Sequence, residues 1–278
     1  MSGHDQEEAP RTGIVQSIDR AMTILEIIGR SESGSRLSDI ARLAGLSPST
    51  THRLLTTLQQ RRYIQSDPRN GRWHIGLPLL SIGLAFLDRS SFVAPAMPLL
   101  KQLRDETKET VNLGVSYDGE IVVLAQVASR QIMRAITRVG GHVPMTTSAM
   151  GKAILATLPS SDVEDLIELR GLKRKTPQSI VQPLTLEEEL ALIRSRGYAI
   201  DNREFDAKVK CAAAVVYNDQ AEAVCAISVS GVTQRLSDER VGLLGERVVS
   251  AANQITRTIG GRRPHEPLPE TLTSEKFP

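Results

Sequence analysis

A Gly-Lys pair, Gly151-Lys152, follows three hydroxyl residues, Thr146, Thr147 and Ser148. Glycine and lysine at the start of a helix can cradle a phosphate with backbone N–H groups and an ammonium. That loop also needs Gly five residues before the second Gly, and Ser or Thr after the Lys. Those positions here hold Thr146 and Ala153, so the nucleotide reading fails at two fixed places. Farther along, Ser228 and Ser230 are two apart in a strand-like run, which turns both hydroxyls to one side. Cys211 as nucleophile, His142 as base and Asp201 as orienting acid would form a hydrolase or transferase centre. Cys211 and Cys225 could instead form a thiol switch, although apolar strand surroundings raise a thiol's pKa and quiet it. The five His, at 4, 52, 74, 142 and 265, are scattered, and the two Cys make no C-x-x-C pair. Neither a metal nor a cofactor is expected.

The elements that must position these groups fall into two charge regimes. Between Ile14 and Gly76 there are nine Arg, no Lys and five acidic residues, a net +4, in a chain whose formal charge is only +2. A basic first quarter joined to a mildly acidic remainder points to a nucleic-acid module attached to something else. Aromatics are 3% of the chain, so its cores must be built from aliphatic side chains. The opening residues are polar and acidic, unlike a signal peptide. The most apolar run, Leu77–Leu87, falls short of the ~20 residues that span a bilayer. A cytoplasmic protein with no membrane partner is expected.

Ile14, Ile18, Ala21, Leu25 and Ile28 recur at helical spacing, and Ile40, Leu43 and Ala44 share a face of a second short helix. Ala41 and Gly45 are four apart, as a helix-turn-helix requires: a small residue under the crossing helix, then a left-handed turn. Ser47 suits the N-cap and Pro48 the first position of a third helix, with Leu54, Leu55 and Leu58 inward. Ser47, Ser49, Thr50, Thr51, Arg53 and Thr57 are its candidate DNA contacts. The stretch Tyr63–Gly76 reads as strand, Asn-Gly turn, strand: a wing with Arg69 and Arg72 flanking its tip as further candidate DNA contacts, Arg72 expected mainly to grip phosphate.

After the apolar helix, a hairpin forms around Asp118-Gly119, and Thr185 with Glu188 reads as a capping box for a helix stopping at Gly197. Further strand is expected in the stretch that follows Arg130, before a loop at Gly140-Gly141. A last helix capped by Ser237 turns Val241, Leu244, Val248, Ala252, Ile255 and Ile259 inward. The fold class is α+β with a mainly antiparallel sheet. The expected division is a disordered leader (1–13), a winged helix-turn-helix (14–76), a linker helix (77–90), an effector domain (91–260) and a disordered tail (261–278).

The runs "VQSIDRAMTILEII", "LSDIARLAGLSPSTTHRLLTTLQQRRYI", "TSAMGKAIL", "RGYAIDNREF", "KCAAAVVYND" and "CAISVSG" occur in order and resemble IclR-type bacterial transcription regulators. That resemblance implies a linker helix, dimers that often pair into tetramers, a double-stranded DNA operator and a sensor domain similar to GAF and PAS folds. It also implies a pocket for a small organic acid or aldehyde, and matching the motif assigns that role to Ala149, Met150, Asp201, Cys211, Ser228 and Ser230. It implies a regulator, most naturally a repressor of a catabolic operon. Many family members carry His where this chain has Thr146, and those binding the smallest keto acids tend to have small residues at the positions of Ala149 and Met150.

Overall fold

The computed structural model describes residues 13–129 and 137–264. The chain divides between Arg89 and Ser90 into two units. The expected leader and tail lie almost wholly outside the described residues, as does the strand expected just after Arg130.

The first unit runs α1 (Gln16–Gly29), α2 (Leu37–Leu43), α3 (Pro48–Gln60), β1 (Ile64–Asp67), β2 (Arg72–Ile75) and α4 (Leu77–Arg89). Its core is Ile24, Ile28, Ile40, Leu55, Leu58 and Ile64. Gly45 turns the chain between α2 and α3 with φ +64°, a conformation that costs a side-chained residue ~1–2 kcal/mol. Ser47 Oγ then accepts from Thr50 N at 3.2 Å, and Pro48 opens α3. The wing adds a bridge from Ser35 to Trp73.

Several expectations give way here. Ile14 and Ile18 are exposed, because α1 reaches the core only from Ile24 onward. Leu43 also faces outward, at 57% exposure. Thr51 is 0% exposed and belongs with Leu55 and Leu58 on the inward stripe of α3. Its Oγ1 donates to Ser47 O at 3.0 Å, so it is no candidate for DNA. The wing tip is a four-residue loop, Pro68 to Gly71, rather than a two-residue turn, since Asp67 pairs with Arg72 and Asp67 Oδ1 accepts from Arg69 N. The apolar linker helix α4, expected to pack against a partner subunit, shows Leu77, Leu80 and Leu84 at 74%, 56% and 44% exposure in the single chain.

The second unit runs α5 (Val93–Thr107), β3 (Thr110–Tyr117), β4 (Glu120–Val127), β5 (His142–Pro144), α6 (Ala149–Leu155), α7 (Ser160–Arg170), α8 (Pro183–Arg196), β6 (Ala199–Asn202), β7 (Val209–Tyr217), β8 (Ala223–Val232) and α9 (Asp238–Thr258). Six strands form one antiparallel sheet in the order β5-β4-β3-β8-β7-β6. Alternation along the strands makes two cores. Val111, Leu113, Ala212, Ala214, Ile227 and Val229 face α5 and α9, while Val123, Ala199, Ala213, Val215 and Ala226 face α6 and α8. The Thr185–Glu188 capping box does not form: α8 starts three residues earlier, with Gln182 as N-cap and Pro183 in its first turn.

Glu109, just before β3, is 0% exposed. Both its oxygens accept from Arg235, at 3.0 and 2.6 Å, and Arg240 lies 3.7 Å away. Removing one partner of a buried pair strands the other charge, whereas removing both is far milder. Arg235→Met is expected to lower stability by ~3 kcal/mol in urea unfolding. The double variant Glu109→Leu/Arg235→Met should recover most of that loss.

Candidate functional site

Adjacent antiparallel strands set residues side by side on one face of a sheet. Asp201 pairs with Cys211, Cys211 with Ser230, and Ser230 with Thr110. One row along, Ser228 lies between Ala213 and Asn112, and Asn112 beside Gln126. Both rows face α6. Gly151 lets α6 pack closely on the loop that leads into it, since a Cβ there would lie 2.2 Å from Met145 O. Gly114 similarly makes room for Met150, whose Sδ is 3.3 Å from the place a Cβ would take. Ser148 caps α6 by accepting from Gly151 N at 3.1 Å, and the first-turn N–H groups of Ala149 and Met150 have no acceptor within the helix.

Between sheet and helix lies a cavity of about 40 Å3, several times the ~10–15 Å3 that one water needs by the same measure. Ala149, Met150, Asp201, Cys211, Ser228 and Ser230, all drawn from the sequence motifs, line it together. Sequence reading missed Asn112, Thr137 and Phe205, which also line it. Asn112 Nδ2 donates to Ser228 Oγ at 3.4 Å and Ser230 Oγ at 3.3 Å, and its Oδ1 accepts from Gln126 Nε2 at 2.7 Å. The one local signal was an amide between Val111 and Leu113 in a strand, since a buried amide must find partners.

Asp201 is 1% exposed. Its Oδ1 accepts from Glu204 N at 2.7 Å and Phe205 N at 3.3 Å, so it caps a turn and lines the cavity at once. Burial, then the Glu204 carboxylate, pushes its carboxyl up to about 7. Lys152, the residue that raised the phosphate question, is 0% exposed and does not line the cavity. Its Nζ lies 2.5 Å from Glu204 Oε1 and 3.4 Å from Glu189 Oε1, and Glu189 in turn binds Arg196 at 2.8 Å.

The thiol-enzyme arrangement is not assembled. His142 Nδ1 pairs with Glu120 Oε2 at 2.9 Å on β5, and Cys211 is four strands away on β7, ~19 Å at the usual strand spacing. Burial pushes the Cys211 thiol up, Asp201 adds to this, and burial does the same to Cys225. Cys225 belongs to the opposite face of the sheet, among the residues packed on α5 and α9.

In the first unit, Ser47, Ser49, Arg53, Thr57 and Arg69 are exposed and Thr50 half-buried. Arg72 is turned back, its Nη1 donating to Gly34 O at 2.7 Å. A cleft of about 370 Å3 runs between α1 and α3, lined by Gln16, Ser17, Arg20, Thr50, Arg53 and Thr57 with no acid among its residues. Arg20 was missed because periodicity marks the apolar side of α1 only.

The protonation of Asp201 makes a stability prediction. In the unfolded chain this carboxyl ionises at about 3.8, whereas the native state holds its proton to about 7. Native protein therefore binds more protons over that interval, and stability falls as pH rises through it, by ~4 kcal/mol. Asp201→Asn keeps the Oδ1 acceptor and stays neutral, so it should match the wild type near pH 4 and exceed it at pH 8. Urea unfolding at the two pH values measures this, and an unchanged slope would show that Asp201 is ionised throughout.

The sequence compares closely with known proteins. Residues 17–68 match the family profile described as "IclR helix-turn-helix domain", and residues 84–257 that described as "Bacterial transcriptional regulator IclR C-terminal". Transcriptional repressor IclR of Escherichia coli K12 is 39% identical over 257 residues, 92% of this chain and 94% of that protein. HTH-type transcriptional repressor AllR of Klebsiella pneumoniae is 34% identical over 92% of this chain and 93% of its own length. The crystal structure of Thermotoga maritima IclR superposes with TM-score 0.74 at 27% identity, covering 88% of this chain and 99% of that one.

Proposed function

The chain belongs to the IclR family of bacterial transcriptional regulators, and we propose that within it this protein is a dimeric repressor of a catabolic operon, released or reinforced by a small organic acid or aldehyde. It is a DNA-binding regulator rather than an enzyme. One observation carries the ligand reading: six motif positions from α6, β6, β7 and β8 converge on a single cavity rich in hydroxyl and amide groups. A cavity of about 40 Å3 favours the smallest acids. Longer ones require Met150 or Phe205 to move.

The exposed apolar side chains of α1 and the residue just before it (Ile18, Met22 and Ile14) and of α4 (Leu77, Leu80, Leu84) support association through the first unit. Two winged modules would then hold two half-sites of a roughly palindromic operator. An effector shifts operator affinity only as far as it binds one dimer geometry better than the other.

Arg53, exposed on α3, is assigned to a base edge, and Arg69 at the wing tip to phosphate. Arg53→Ala should cost ~1–3 kcal/mol on the operator and relax preference at one base pair. Arg69→Ala should weaken all sequences alike and flatten the salt dependence by about one unit. Equal losses for Arg53→Ala on operator and random DNA would reduce it to a phosphate contact.

For the pocket, a thermal-shift panel of small carboxylates, aldehydes and hydroxy acids identifies the binder. Ser228→Ala/Ser230→Ala should then weaken that binder by ~1.5–3 kcal/mol for each hydrogen bond lost to a charged ligand. Operator affinity without ligand should be unchanged. Unaltered ligand affinity in a folded double variant would move the effector site elsewhere.

A further inference from the structure

The cavity is lined by one acid and, among its described lining residues, no lysine or arginine. Ser148, Ser228, Ser230, Asn112, Thr137 and Cys211 offer it neutral polar groups. The nearest ammonium, on Lys152, is held by Glu204 at 2.5 Å and Glu189 at 3.4 Å, and Glu189 is matched by Arg196 at 2.8 Å. Two cations and two carboxylates thus form a closed set behind the turn that carries Asp201. An ionised Asp201 and an anionic effector would be two negative charges in one small cavity with no lysine or arginine among its described lining residues, an arrangement that favours protonation of one of them.

We propose that Glu204, by engaging Lys152, is a positioning residue that keeps Asp201 neutral, so that the pocket accepts an anionic effector together with one proton. This rests on reading the cavity as the effector site. Neutral Asp201 donates a hydrogen bond from its second oxygen, the first being taken by Glu204 N and Phe205 N. That donor suits a carboxylate. Ionised Asp201 only accepts, and so suits a neutral hydroxyl or amide instead. The protonation of one side chain then decides which ligand class enters.

Every ionisable group facing Asp201 bears on this. Glu204 shares its turn, Lys152 comes from α6 with Glu189 of α8 behind it, and Cys211 lies across on β7. The β8 and β3 positions that meet the cavity are neutral Ser228, Ser230 and Asn112. Burial and the Glu204 carboxylate raise the Asp201 carboxyl and the Lys152 ammonium lowers it, leaving its midpoint at about 7.

The test compares glycolate, a two-carbon hydroxy acid, with glycolamide, its neutral counterpart of the same size, on the full-length protein. Calorimetry from pH 5.5 to 8.5, in buffers of different ionisation enthalpy, counts protons. Carboxyl 13C NMR follows Asp201 in the free protein, identified as the signal lost in Asp201→Asn. Glycolate is expected to weaken about tenfold per pH unit above the Asp201 midpoint with uptake of one proton, while glycolamide does not weaken. Glu204→Gln releases the Lys152 charge toward Asp201, so both the carboxyl midpoint and the glycolate crossover should move to lower pH. A merely structural role for Glu204 would lower stability and leave both where they were. An Asp201 signal titrating near 4, or glycolate binding equally well at pH 6 and 8.5, overturns the proposal. A signal near 7 that shifts in Glu204→Gln, with neither compound binding at any pH, upholds the charge coupling and counts against the effector reading of the pocket.

Discussion

The ion pair between Lys152 and Glu204 is the constraint around which the second unit is arranged. It joins a helix laid on the sheet to the turn between the outer strands β6 and β7. Charges this deep persist only when matched, and the matching here is held by hydrogen bonds on several sides. The Glu204 carbonyl accepts from Ser179 and Thr176, and its N–H donates to Asp201. Moving α6 therefore drags the turn, and moving the turn drags the acid that lines the cavity. The neighbouring glycine has the same purpose. Gly151 lets the backbone of α6 rest against that of Met145, which leaves no slack between helix and loop. A Gly-Lys pair that resembles part of a phosphate loop thus acts wholly inside the protein, one residue for closeness and the other for charge.

How much of this was legible in the sequence depended on how local the signals were. The helix-turn-helix could be read because a cap, a first-turn proline, a small residue and a left-handed glycine all lie within a few residues of one another, and each acts at its own position. Even there, hydroxyl chemistry misled: Thr51 looks like its neighbours Ser49 and Thr50, but its spacing to Leu55 and Leu58 puts it inside. The sheet could be read as antiparallel, but its order could not. Asn112 meets Ser228 and Ser230 across 116 and 118 residues of chain, and no periodicity in either segment carries that register. The pocket positions were found by resemblance rather than by physics. Lys152 and Glu204 escaped because a buried lysine has no sequence signature apart from its partner.

The two units differ in what they leave uncovered. The second encloses both faces of its sheet with helices and gathers its polar chemistry in a small cavity between sheet and helix. The first has a core built around six aliphatic side chains and leaves apolar stripes on two helices in water. Arg53 on α3 and Arg69 at the wing tip are exposed. The asymmetry fits a regulator in which one part recognises by enclosure and the other by surface. The cleft between α1 and α3 brings Arg20 into the same lining as Arg53.

Heat acts differently on the two kinds of bonding that frame the cavity. The desolvation penalty of buried ions shrinks as temperature rises, because ordered hydration is entropically unfavourable, while hydrophobic stabilisation levels off. The network of Lys152, Glu204, Glu189 and Arg196 is therefore least favourable in the cold and gains on the surrounding aliphatic packing as the protein warms. The grip of α6 on the β6–β7 turn thus has a thermal coefficient of its own, opposite in sense to the loosening of the chain around it.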